Sequence, residues 1–537
     1  MEAQRSLLDG ILYPHWASGP NFGAGEPRFV FYPPLTWFTG ALLGMIFPWH
    51  VVSIVLIYLL LAGAGLATRA LARQLLADEP ATLAGCSSIF LGNMLTDAYM
   101  RSDYAELAGG FWIPLLLRLQ LRECPPSATP LQHTLAGAAP SALVIAGIWL
   151  TNGPLAIMAV YLLAATVLVL AIAQRSWLPI ARTALSATLG STLAGVYLVP
   201  AIWERGWANL TAATSQREYI VQNGWLFHRH LDPSWNLYDT TLEIHSWVAV
   251  MMFSLAAASV ILAWKRGKLR TDRARWAVLA LVPFAVLLMQ LPVSDLLWRW
   301  LPELRLLQFP WRWLIMMNSP LAIFFATAVW VKPRRGRIPI LGACALLFFF
   351  ISGGVWGVCF QDCRNIDAAI LSTEQINGIR GKPEYAPPGI RHPLVELGTA
   401  ANCVVTNLAD FSGDQQFDRN PADVGSGGAC QGSFSQMRNL PEQKIFMGEA
   451  SQAGYLILRL RAYPAWRVTV NSRPVATARE ETYGFMAVPL HPGPTMVAVE
   501  WVTTPDVWMG RLVSLLALAL LTALCVFERR QLRPRLS

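Results

Sequence analysis

Charged residues are scarce in this sequence. Asp, Glu, Lys and Arg make up only 14% of its 537 residues, whereas 54% are hydrophobic and the mean hydropathy is +0.40. A soluble protein of this length usually contains about a quarter charged residues. The composition therefore argues against a soluble globular protein and predicts that most of the chain lies in lipid.

Several short motifs are also missing. The sequence has no phosphate-binding P-loop, no glycine-rich dinucleotide fingerprint before a predicted helix and no serine nucleophile elbow. These absences argue against nucleotide chemistry of the soluble type. The net charge of +9 does not indicate a nucleic-acid partner, because the Lys and Arg residues lie in short clusters between apolar runs.

Cys-x-x-Cys pairs are absent as well, although the chain has eight cysteines. Four of them fall in one polar region: Cys359, Cys363, Cys403 and Cys430. If this region is extracytoplasmic, two disulfides are possible, and we favour Cys403 with Cys430. A structural zinc site is the alternative, although nearby histidines are few.

What the sequence does contain is a series of apolar runs. The run at 35–49 is too short to span a membrane and predicts an interfacial or re-entrant helix. Residues 1–34 before it predict a loop with aromatic interface anchors, among them Trp16. About eleven transmembrane helices are predicted in total, at 51–70, 81–96, 107–121, 136–151, 153–173, 183–200, 246–264, 276–292, 313–331, 338–358 and 508–527.

Short basic loops between these runs predict the orientation. The largest, at 265–275, holds six basic residues, and the basic loops alternate correctly with the spans. We therefore expect these loops and the C-terminus to be cytoplasmic, and the N-terminus and the long segment 361–505 to be external.

The segment 361–505 differs from the rest in its hydrophobic pattern. From Gly454 onward it contains short alternating or β-branched runs separated by Asn, Pro and Gly, which predict a small β-sandwich. The expected organisation is an external loop and interfacial helix at 1–50, a polytopic transmembrane domain at 51–360, an external β-rich domain at 361–505, and a final transmembrane helix with a basic cytoplasmic tail at 506–537.

A cluster of ionisable residues interrupts two apolar runs. Asp97, Arg101, Asp103 and Glu106 lie between 81–96 and 107–121, where charges are costly unless they pair, meet water or have a function. Asp103 and Glu106 would share one face of a helical turn, as the ligands of a divalent cation or as catalytic carboxylates. The alternative is an ordinary ion pair between Asp97 and Arg101 at the membrane edge.

A second arginine also stands on the predicted external face. Arg312 lies between Trp311 and Trp313 at the start of a span. Its planar guanidinium suits a lipid-linked phosphate, although a side chain that anchors among interfacial aromatics would look the same.

Several motifs carry a resemblance to a known family. They are Phe-Tyr-Pro-Pro-Leu at 31–35, Arg-Ser-Asp-Tyr-Ala-Glu at 101–106, Leu-Leu-Gln-Phe-Pro-Trp-Arg-Trp at 306–313, Glu-Tyr at 384–385 and Tyr-Pro-Ala-Trp-Arg at 463–467. In this order they resemble bacterial polytopic membrane proteins labelled 6-pyruvoyl-tetrahydropterin synthase-related, over about residues 5–527. Such proteins look similar to GT-C glycosyltransferases.

The resemblance implies an inner-membrane, multi-pass enzyme of GT-C-like fold that transfers a sugar from a polyprenyl-phosphate donor to a cell-envelope glycan or protein. On this reading Asp103 and Glu106 are catalytic and hold Mg or Mn, while Arg101, Arg312, Asp97 and Tyr32 bind the substrate. Membrane lipids are the other expected partner, and no nucleic acid is expected.

One departure from the family pattern leaves a second reading open. GT-C enzymes usually carry an acid in the first external loop, just after the first helix, and this sequence has no counterpart of either. We expect an upstream helix that carries this acid. Otherwise the protein is a non-catalytic membrane scaffold or a binder of lipid-linked saccharide.

Overall fold

The computed structural model is mostly helical and has a β-sheet region near its C-terminus, as the sequence predicts. It describes residues 1–122, 129–209, 211–331, 334–359, 381–395, 401–411 and 434–532. The α-helices in these ranges are α1 Glu2–Leu8, α2 Arg28–Phe31, α3 Pro34–Gly44, α4 Trp49–Ala72, α5 Asp78–Phe90, α6 Met94–Tyr99, α7 Tyr104–Leu107, α8 Gly109–Gln120, α9 Pro130–Leu135, α10 Ala138–Thr151, α11 Gly153–Gln174, α12 Leu178–Leu193, α13 Gly195–Trp203, α14 Ala212–Ser215, α15 Asn236–Lys265, α16 Arg273–Met289, α17 Asp295–Trp300, α18 Leu314–Val329, α19 Arg334–Cys359 and α20 Pro505–Leu532.

The number of candidate membrane spans is smaller than predicted. Within the described residues seven helices are long and apolar enough to cross a membrane, or up to nine if two bent pairs each count as one span. The predicted count of eleven is not confirmed, because the runs at 81–96 and 107–121 fold as shorter helices. Helix α5 has 13 residues and α8 has 12. Each is therefore about 20 Å long, less than the roughly 30 Å hydrocarbon core.

Helix α18 lies at the centre of the bundle. All of its residues except Val329 are buried, and it is the most buried of the candidate spans. Because α18 is buried on every side, other parts of the chain rather than lipid surround it. Because the 3₁₀ turn Pro310–Trp313 leads directly into α18, Arg312 is held at the start of this central helix.

The strands form two antiparallel sheets that pack face to face. They are β1 Asn402–Val405, β2 Ser435–Leu440, β3 Gln443–Ala450, β4 Gly454–Arg461, β5 Trp466–Val470, β6 Arg473–Pro474, β7 Ala478–Arg479, β8 Phe485–Leu490 and β9 Gly493–Trp501. One sheet has the order β1-β4-β8-β7 and the other β2-β3-β9-β5-β6. Leu456 and Val488 of the first sheet share a core with Phe446 and Val497 of the second, so the predicted sandwich is present.

The N-terminal segment completes this sandwich. Trp16 is fully buried and contacts the rings of Tyr463, Trp466 and Trp501, with centroids 5.3–5.9 Å away. The expectation that Trp16 anchors at the membrane interface is therefore wrong. An indole is suited to both places, and here the open edge of the sandwich core provides the larger apolar contact.

Trp16→Ala should open the β region locally. Removing a buried Trp costs about 3–5 kcal/mol, so main-chain amides of β5 and β9 should exchange with deuterium on the order of 100-fold faster, as measured by mass spectrometry on the detergent-purified chain. The control is Trp177→Ala, because the Trp177 side chain is 68% exposed. Equal protection in the two variants would show that Trp16 does not support the sandwich.

Candidate functional site

The chain between α6 and α7 makes a tight polar turn. Asp103 precedes α7, and its side chain accepts a hydrogen bond from the Glu106 main-chain N–H at 3.0 Å, which is a helix N-cap arrangement. Ser102 adopts a left-handed backbone with φ 51°, and the Asp103 N–H donates to the Asp97 carbonyl at 3.1 Å. The turn thereby brings the predicted charged side chains face to face.

Arg101 is the centre of this cluster. Its Nη1 lies 2.8 Å from Asp97 Oδ1 and 2.9 Å from Glu106 Oε1, and its Nη2 lies 2.8 Å from Glu106 Oε2 and 3.2 Å from Asp103 Oδ2. The Asp97 side chain is fully buried and that of Glu106 is 1% exposed. One guanidinium therefore binds three carboxylates, with a bidentate pair to Glu106.

Arg312 joins the cluster from the start of α18. Its Nε lies 3.2 Å from Glu106 Oε2, its Nη1 donates to the Leu307 carbonyl at 3.2 Å, and its guanidinium stands over the Phe309 ring. The two predicted arginines are thus neighbours, although they are more than 200 residues apart in the sequence.

The charge balance of the cluster explains the state of Asp97. Three carboxylates face two guanidiniums, so one proton makes the cluster neutral. Asp97 lies outside the candidate spans, and its Oδ2 is buried without a hydrogen-bond partner in the described part of the chain. Burial and the nearby Glu106 carboxylate raise the pKa of Asp97 well above its ordinary value, against the opposing effect of Arg101.

A cavity of about 630 Å³ lies beside the cluster, within the usual size range of ligand pockets. Trp37, Ala41, Val52 and Leu56, on α3 and α4, contribute to its apolar walls. Tyr32 lines the cavity and also lies within electrostatic reach of Asp103 and Arg312; burial, with Asp103, raises the pKa of Tyr32 to about 12. The phenol therefore keeps its proton at neutral pH.

Four charged residues at this cavity were not predicted as site residues. They are Glu2, Arg28, Lys382 and Glu384. Arg28 pairs with the buried Glu26 at 2.6 Å, whereas Glu384 Oε2 is buried and has no hydrogen-bond partner among the described residues. In the sequence, the Glu-Tyr motif at 384–385 pointed to Glu384 as a residue of interest. Because this motif is far from the cluster along the chain, the sequence gave no reason to place it at this cavity.

The carboxylates do not fit a metal site as they are arranged. Asp103 and Glu106 each point their oxygens at Arg101 or at a main-chain N–H. Within the described ranges no three His, Cys, Asp or Glu side chains come together in a group that could hold a metal ion. A divalent cofactor stays a prediction.

Only one of the two cysteines in the predicted disulfide lies in the described part of the chain. Cys403 is disulfide-bonded, and its predicted partner Cys430 lies outside the described residues. Of the cysteines that the structure describes, Cys86, Cys344 and Cys525 are free thiols.

One family comparison matches this chain. The model of a family described as "6-pyruvoyl-tetrahydropterin synthase related domain; membrane protein" matches residues 29–360, more than half of the chain. This range includes the cluster, Tyr32 and Arg312. No curated protein and no solved structure matches. The relation to GT-C enzymes stays a prediction.

Arg101→Gln should strongly destabilise the helical bundle. The change leaves three carboxylates without their main cation, and breaking a buried ion pair costs about 3–5 kcal/mol. Thermal unfolding of the detergent-purified chain measures the effect. The control is Arg299→Gln. The Arg299 side chain is 55% exposed, and its ion pair with Asp295 should contribute less than about 1 kcal/mol to the free energy of unfolding. Similar losses in both variants would contradict the central role of Arg101.

Asp97→Asn should change how the free energy of unfolding varies with pH more than it changes that free energy at one pH. A group whose pKa is raised in the folded state stabilises at low pH, and this contribution is lost as the pH rises through the folded-state pKa. The neutral Asn removes this loss, so the variant should lose less stability than the wild type as the pH is raised. Glu106→Gln is the comparison, since it disrupts the bidentate pair and should destabilise at neutral pH. An unchanged pH profile in Asp97→Asn would contradict proton uptake at Asp97.

Proposed function

The chain belongs to the 6-pyruvoyl-tetrahydropterin synthase related family of membrane proteins, and from this premise we propose that it is a GT-C-like glycosyltransferase. Its proposed donor is a sugar linked to polyprenyl phosphate, and its acceptor is a hydroxyl of the cell envelope. The observation that carries the proposal is the cavity beside the Arg101 cluster, because it is apolar on one side and charged on the other.

The cavity has the chemical character that a lipid-linked sugar needs. Helices α3 and α4 contribute to its apolar side and carry exposed apolar side chains, such as Leu42 on α3 and Ile54 on α4, which favours contact with lipid. Lys382 lines the same cavity and supplies positive charge for a phosphate, and Arg28, although paired with Glu26, lines it too and can offer N–H donors. A prenyl chain would lie against the helices while the phosphate meets these cations.

The residue roles differ from those expected from the sequence. Glu384 is the carboxylate with an uncommitted oxygen at the cavity, so we assign it the general base that takes the proton of the acceptor hydroxyl. The acceptor oxygen then bonds to the anomeric carbon, and the bond from that carbon to the phosphate oxygen breaks. Polyprenyl phosphate leaves as an anion beside Arg28 and Lys382.

The Arg101 cluster would position residues of this site without lining the cavity itself. Glu106 holds Arg101 and Arg312 in place, and Tyr32 connects the cluster with the cavity. Asp103 is 22% exposed, the most accessible carboxylate of the cluster, and remains our candidate for acceptor contact. Direct phosphate contacts of Arg101 and Arg312 stay predictions.

The proposed location is a bacterial inner membrane with the cavity on the external face. The basic loops support this orientation, because Arg275 reaches the end of α8 and Arg266 the end of α18, away from the Arg312 end of that helix. The cluster and the cavity would then lie outside with the β region, and the C-terminus would lie in the cytoplasm.

A non-catalytic binder of lipid-linked saccharide is the second candidate. The observation that favours it is that both oxygens of Glu106 are bound by Arg101. A protein that only binds the donor would need the cavity and its cations but no free carboxylate.

Release of polyprenyl phosphate separates the two functions. The detergent-purified chain, incubated with a polyprenyl-phosphate-linked sugar and cell-envelope acceptor, should release the lipid phosphate, detected by mass spectrometry. Glu384→Gln should slow release by roughly 100-fold or more, and Asp103→Asn should also reduce it. Glu481→Gln is the control, because Glu481 is 80% exposed. Donor binding without release in the wild type would overturn the transferase and support the binder.

A further inference from the structure

The basic segment between α15 and α16 divides its six cations between two tasks. Arg266, Lys268 and Arg275 donate hydrogen bonds to main-chain carbonyls near the ends of other helices. Lys268 Nζ, for example, lies 2.7 Å from the Thr327 carbonyl and 2.6 Å from the Trp330 carbonyl. These three cations satisfy carbonyls that a helix leaves unpaired at its C-terminal end.

The other three cations have a different environment. Lys265, Arg270 and Arg273 line a cavity of about 690 Å³ between α15 and α16. The side chains of these three residues form no hydrogen bond or ion pair within the part of the chain that the structure describes. Asp272 is the one acid between residues 265 and 275, and it lies 4.0 Å from Arg275. The cavity is therefore positively charged without a counter-charge from the described chain.

The rest of the described lining is apolar. It consists of Trp264, Leu269, Trp276, Ala277 and Ala280, none of which is acidic. Ala277 and Ala280 stand three residues apart on α16, so they lie on one side of that helix and leave room beside it. Three cations and five apolar side chains in one lining match a molecule with an anionic head and a hydrocarbon tail.

The position of the cavity also agrees with such a molecule. Lys265 is the last residue of a candidate membrane span, and α16 is the first helix of one of the two bent pairs that could form a further span. Phospholipid headgroups lie at this level, and basic pockets between membrane helices bind anionic headgroups. A free phosphate ion would contact the cations but would leave the apolar part of the lining uncovered.

We propose that this cavity binds the phosphate headgroup of an anionic phospholipid. Lys265, Arg270 and Arg273 contact the phosphate, and an acyl chain lies over Trp276, Ala277 and Ala280. The site is separate from the proposed donor cavity and contains none of its residues.

Native mass spectrometry of the full chain in neutral detergent tests the proposal. Phosphatidylglycerol should remain bound more strongly than phosphatidylcholine of the same chain length. The triple variant K265Q/R270Q/R273Q should lose this affinity on the order of 100-fold, since each cation near an anionic lipid surface contributes a several-fold factor. The matched control R122Q/R175Q/R335Q removes three exposed cations elsewhere on the chain and should bind like the wild type.

Two further measurements make the result decisive. The three cations are exposed, so the triple variant should unfold at the wild-type temperature. If it unfolds earlier, the single variant Arg270→Glu, which lies in the loop between the two helices, should still weaken phosphatidylglycerol binding. Millimolar inorganic phosphate should not displace the lipid. Equal lipid retention by the triple variant and the wild type would overturn the site, and displacement by inorganic phosphate would identify a phosphate site rather than a lipid site.

Discussion

The ion pairs of Arg101 set the conditions that the surrounding structure must meet. Ionised side chains held away from water are stable only when they are paired and hydrogen-bonded, and here Asp97, Asp103 and Glu106 all depend on one guanidinium. The left-handed Ser102 and the N-cap at Asp103 are consequences of this requirement, because they bend the chain around that group.

The same cluster connects distant parts of the chain. Arg312 brings the start of the buried helix α18 against Glu106. The β region is tied to the helices through separate contacts: Tyr463 donates to Glu204 at the end of α13, and Trp16 joins the N-terminal segment to the sandwich core. The turn Pro383–Tyr385 lies beside α2 and the cavity, where Arg28 lies over the Tyr385 ring. The cavity is therefore lined both by the helical part and by the segment that precedes the strands.

The sequence predicts the fold class and the members of the cluster, but not its hydrogen bonds. The density of charge from Asp97 to Glu106 and the isolated Arg312 were visible as exceptions in an apolar chain. Whether Glu106 would face a cation site or Arg101 depends on side-chain rotamers in the folded turn, which spacing does not define. The count of eleven spans is unconfirmed for a related reason, since a short apolar helix such as α5 has the composition of a span when other helices bury it.

Scarcity of charge makes uncommitted polar groups informative in this protein. In an apolar chain most buried polar atoms need a partner, and most described ion pairs and capping contacts here fit that rule. Glu384 Oε2 departs from it and lines the first cavity. Lys265, Arg270 and Arg273 are exposed, but their side chains have no hydrogen-bond or ion-pair partner in the described chain, and they line the second cavity. The two cavities also differ in charge: the first mixes a carboxylate with cations and suits proton transfer beside a phosphate, whereas the second holds cations alone and suits binding without chemistry. The distribution of unpaired groups, rather than the number of charged residues, thus distinguishes the proposed reacting site from the proposed lipid site.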